Sequence, residues 1–172
     1  MDAKDILNQQ LAGAHGWLDM TMQGVGAKEA TWVPPGRANT IAGCYAHVVL
    51  TEDWAVNSML KGATPLFATS WAGKTGMSEP PPENPEQGWG EWGRKVQLDL
   101  DKVKSYREAV MKNTEAYIST LTDAELNRKL MTPMGEQTVA FILNAVVIGH
   151  MHDFTGEISC LKGLQGLQGY PF

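Results

Sequence analysis

The amino-acid sequence predicts an all-α fold, a four-helix bundle with a long crossover loop between the second and third helices. Three observations carry this expectation. Apolar residues recur at three- and four-residue spacing in four separate segments, no segment between them shows a convincing strand pattern, and glycine and proline cluster at the segment ends. The 172 residues fit a single domain, 1–172, long enough to bury a core, and 43% hydrophobic with 19% charged residues is a globular composition.

The first helix runs from about Lys4 to Met22, with Ile6, Leu7, Leu11, Ala14 and Leu18 on its apolar face, and stops in GVGAKEATWVPPG. The second starts after Asn39 or Thr40, either of which can cap it, and reaches about Leu60 before Gly62. The third spans roughly Gln97 to Leu121 and is followed by a short turn, with Asp123 as its expected cap and Leu126 as an anchor. Pro133 and Gly135 lead into the fourth helix, about Thr138 to Lys162, with Gly163 at its C-terminus.

Between the second and third helices, GATPLFATSWAGKTGMSEPPPENPEQGWGEWG is too long for an ordinary link. Trp71, Trp89 and Trp92 argue that it is packed, and the prolines at 80–82 stiffen it as a strap across the bundle. Gly43, Gly149 and Gly156 lie inside helical segments, where each costs about 1 kcal/mol against alanine, so a close backbone approach is expected at each.

The net charge of −5, without a Lys/Arg cluster, makes no electrostatic case for nucleic acid or an anionic membrane surface. The polar N-terminus does not read as a signal peptide, and the apolar run around Ala145 to Ile148 is short for a bilayer span, so the expected setting is cytoplasmic. In that setting Cys44 and Cys160 are expected as buried free thiols. GLQGLQG at 163–169 follows no strand and opens no helix, so it is a tail rather than a phosphate loop, with Tyr170 and Phe172 expected to dock.

WVPPGRANTIAGCYAHVVLTEDW resembles the second-helix signature of the DinB-like (DinB/YfiT) superfamily, and HMHDFTGEISCLKGLQGLQGYPF resembles its last helix. The resemblance implies a frequently homodimeric bundle with a divalent metal, zinc or nickel, held by one histidine on the second helix and two on the last. It also implies relatives that act as metal-dependent transferases or isomerases on thiols of the mycothiol, bacillithiol or glutathione type. In this chain His47 and His150 match two ligands, but the third falls on Phe154, which cannot bind a metal.

His150, Asp153 and Glu157 share one helical face, so Asp153 is the substitute ligand and the candidate metal set is His47, His150 and Asp153, with Glu157 in support. His152 is turned about 200° from His150 and is left out, and His15 is expected on the surface or in packing. The alternative is a degenerate site, in which the two histidines persist as hydrogen-bonded partners in a non-catalytic, dimeric small-ligand-binding protein. Thr51 and Trp54 continue the His47 face toward a pocket, and Cys44, three residues before His47, reads as core rather than as a nucleophile.

Overall fold

The computed structural model describes residues 2–82 and 85–171. Helix α1 (Ala3–Met22) starts on Asp2, whose carboxylate accepts the Asp5 N–H at 2.9 Å in a reciprocal capping box. A short α2 (Ala27–Thr31), unforeseen in the sequence, interrupts the link to α3 (Ile41–Trp54). Thr40 caps α3 by accepting the Gly43 N–H at 3.0 Å. The helix then widens into a π-helical stretch, Ala55–Leu60, and Leu66–Ala68 forms a 3-10 turn.

Next come α4 (Pro85–Lys95), α5 (Leu100–Thr120) and α6 (Asp123–Leu126). The chain closes with α7 (Val139–Phe141), a π-helical stretch Ile142–Gly149, and α8 (His150–Leu164), one continuous 26-residue helix. By length and composition alone that helix is long and apolar enough to cross a membrane, a test that a packed core helix also passes. Here it packs along α1 and α3 through Ile142, Leu143, Val147, Met151 and Ile158.

Around the bundle the order is α1, α8, α3, α5, so α1 and α3 stand diagonally and the core lies between all four. Leu11, Leu18, Ile41, Val103, Val110 and Ile118 are buried there, each contributing about 1.5–3 kcal/mol. α3 is buried on nearly every side, because α4 covers the flank the other long helices leave open.

Several expectations are corrected. KLMT and GEQT pair as an antiparallel hairpin, β1 (Lys129–Thr132) with β2 (Gly135–Thr138); the turn places Gly135 at φ 90°, where glycine is free of strain. Four-residue strands are too short for the alternation that marks a strand in sequence. The strap contains a helix, α4, rather than only irregular chain. α5 starts at Leu100, not Gln97, because the chain at 97–99 pairs instead with 76–78, through Ser78 N–H to Gln97 O at 2.9 Å and Asp99 N–H to Gly76 O at 2.8 Å. Thr122, not Asp123, caps α6.

Gly43 does mark a close approach: a Cβ there would run into the Gly93 carbonyl of α4. Gly149 faces only the Asn144 carbonyl of its own helix, 3.2 Å from a Cβ position, and Gly156 faces open space. Cys44 is buried and free as expected, whereas Cys160 is free but exposed. In the tail, Gly169 doubles back on Ser159, Tyr170 is 60% exposed, and Phe172 lies outside the described residues.

Candidate functional site

α3 and α8 bring His47 and His150 together with their Nε2 atoms 3.2 Å apart. His47 follows from the α3 register that Thr40 sets. His150 is aimed by the π-helical stretch just before it, whose wider turns take up an extra residue and so rotate everything downstream. One turn later Phe154 lays its ring against both imidazoles, centroids 4.8 Å from His47 and 4.6 Å from His150. Trp89, from the strap helix α4, stands edge-on to His47 at 4.2 Å.

Beside the histidines lies a cavity of about 230 Å³. Trp54, Phe67, Pro81 and Trp89 form its outer wall, with Leu50 and Thr51 along α3. Thr51 and Trp54 stand where the sequence put them. The sequence marks Trp89, with Trp71 and Trp92, as a packing residue of the strap, but not that it would meet Phe67 and Pro81 at this cavity.

Burial, and then the charge of His150, lower the His47 pKa to about 4. Burial also lowers His150, against the opposing charge of Asp153. Both rings are therefore neutral near pH 7. His47 Nδ1 is buried without a partner. An orphaned N–H is the rarer arrangement in proteins, so His47 donates its Nε2–H and His150 Nε2 accepts.

Asp153 is exposed and makes no hydrogen bond into the pair. Glu157 accepts a hydrogen bond from the buried Cys44 Sγ at 3.4 Å. Burial, reinforced by the Glu157 charge, pushes that thiol far above its ordinary value, so Cys44 is no nucleophile. His152 is exposed on the far side of α8, against α1.

Two buried polar clusters were missed in the sequence. Asp53, fully buried, accepts from Leu66 N–H and Phe67 N–H at 2.9 Å each, from Tyr106 Oη at 2.6 Å and from Asn57 Nδ2 at 2.7 Å. It thereby seats Phe67 in the cavity wall. His15, expected on the surface or in packing, is 1% exposed inside a polar cluster at the bundle centre. Its Nδ1 lies 2.6 Å from Arg107 and its Nε2 2.9 Å from Glu52. Arginine can only donate, so Nδ1 accepts and the ring proton sits on Nε2, facing Glu52. Arg107 also pairs with Asp19 at 2.7 Å, and Thr114 donates to Glu52 at 2.7 Å.

A family model described as the DinB superfamily matches residues 10–153. The chain belongs to the DinB superfamily. A solved structure described as a conserved protein of a locus from Enterococcus faecalis is similar over 95% of this chain and 97% of its own, with TM-score 0.81 and 18% identity. That likeness shows that the DinB-superfamily chain shares its fold with that protein. No curated protein matches the sequence.

The three-ligand metal set implied for the superfamily does not fit the residues here. Two imidazole nitrogens converge, but the third position holds Phe154 and Asp153 faces solvent. Among the described residues no group of three or more His, Cys, Asp or Glu side chains is placed to hold an ion. His47 Nδ1 also lacks the outer partner that orients a ligating histidine.

Proposed function

We propose that this DinB-superfamily protein binds a small, uncharged, largely apolar molecule, of about one aromatic ring, in the cavity beside His47 and His150. The observation that carries the reading is the wall itself: aromatic and aliphatic side chains with two neutral histidines and one threonine, and no charged residue. At about 230 Å³ the space is below the ~300–1,000 Å³ of drug-sized sites, so the ligand is small.

Energetics favours binding over metal-free thiol chemistry. A thiol near pKa ~8.5 would hand its proton to His47, at about 4, only at a cost of roughly 6 kcal/mol. One observation supports the finer reading, a metal-dependent thiol transferase: the 3.2 Å spacing of the Nε2 atoms suits two ligands of one ion. Metal content of purified wild type and His150→Ala protein decides between them. Near-stoichiometric metal that disappears in the variant would favour the metal-dependent reading, which thiol-transfer assays would then test.

The binding reading is tested by thermal unfolding with toluene, phenol and benzoate. At ten times its Kd a ligand adds about 1.4 kcal/mol, a rise of roughly 3–6 °C for a chain of this size. Toluene or phenol should give that rise and benzoate none, and Thr51→Trp, which fills the cavity, should abolish it. No response to either neutral probe would overturn the assignment.

A further inference from the structure

We infer that Phe154, packed against the two histidines that line the cavity, is the residue that keeps this site metal-free, while His47 and His150 are already spaced for a divalent transition-metal ion such as zinc. The inference rests on the binding reading above and goes on to name the residue that makes it so. Two nitrogens at ~2.0–2.1 Å from one tetrahedral ion stand about 3.3 Å apart, and these stand at 3.2 Å. The Phe154 ring touches both imidazoles from a position four residues after His150, on the same helical face. An imidazole carried by the same backbone position would bring a third nitrogen to the pair. Trp89 closes the side of His47 toward the strap, so the phenylalanine position is the direction from which a donor arrives on α8 itself.

The ready-made pair still lacks an outer hydrogen bond on His47, whose Nδ1 is buried and unpartnered. A site completed at 154 should therefore bind about 10–100-fold more weakly than one with that bond in place. Imidazole donors and a compact tetrahedral site favour zinc over magnesium or calcium, which take oxygen ligands.

The experiment loads wild type, Phe154→His and the double variant His47→Ala/Phe154→His with zinc, removes free ion by gel filtration, and measures metal per folded chain. The expected result is near-stoichiometric zinc in Phe154→His, and little in wild type or the double variant. Wild type retaining as much zinc as Phe154→His would overturn the inference, as would a folded Phe154→His that retains none. If that variant does not fold, Phe154→Glu supplies a donor at the same half-buried position with the same expectation. Failure of both to fold would show Phe154 to be needed for the core and would remove the proposal. Phenol binding by wild type is read separately. Its loss beside zinc uptake by Phe154→His would sink the binding reading and leave this one, and the reverse pattern would do the opposite.

Discussion

His47 shows how burial at one residue becomes a property of the whole chain. In the folded protein it stays neutral down to about pH 4, whereas an unfolded chain protonates the same ring near 6.5. Between those values the unfolded state binds more protons, so stability rises with pH across the window and falls as pH drops from about 6.5 toward 4. From about pH 6.5 to 4.5 the His47 share of the loss is roughly 2–3 kcal/mol. His150, also lowered, acts in the same direction. Urea unfolding at about pH 7 and 4.5 should therefore show a decline shallower by about 2 kcal/mol in His47→Gln than in wild type. Equal slopes would mean that the ring is not held neutral. Carboxylates whose pKa is lowered, such as Asp99 and Glu125, act mainly below this window and are common to both proteins.

At the scale of elements, the strap helix α4 depends on its docking. PEQGWGEWGRK carries three glycines and opens on proline, a poor helix former by propensity, which is why the sequence did not announce it. It is held because Gly43 lets the α4 backbone at Gly93 come up against α3, because Thr40 Oγ1 donates to Gly93 O at 2.9 Å, and because Trp92 Nε1 donates to Pro80 O at 2.7 Å. The Arg94 guanidinium adds a bond to the Ala38 carbonyl. Gly43→Ala forces a methyl group into the Gly93 carbonyl and should cost about 1–3 kcal/mol. The same shift should pull Trp89 off His47 and weaken binding of neutral probes, which separates it from a substitution that only destabilises. A fully stable Gly43→Ala with unchanged probe binding would show that the contact yields easily.

Across the whole molecule, the charged cluster of His15, Glu52 and Arg107 ties the diagonal pair α1 and α3 to α5. Arg107 is 2% exposed, and Arg107→Leu would leave His15 Nδ1 and Asp19 without their donor. The expected loss is about 3–5 kcal/mol in urea unfolding; a loss below about 1 kcal/mol would show that the cluster relaxes into solvent. Such clusters were hidden in the sequence because their members lie far apart in it, Arg107 and His15 being 92 positions apart. The bundle's long helices were legible, since a 3.6-residue apolar period is a local property that any stretch of chain displays on its own. The candidacy of His47 and His150, and the phenylalanine at 154, could likewise be read from local motifs. The sequence by itself thus determined the long helices, the fold family and four of the site's side chains, His47, Thr51, Trp54 and His150. Only the tertiary structure decided that Trp89, Phe67 and Pro81 would wall the cavity, that the two rings 103 residues apart would share one proton, and that Asp153 would face solvent. Those outcomes depend on how separate helices rotate and close on one another, and that is settled by packing rather than by any residue's neighbours in the chain.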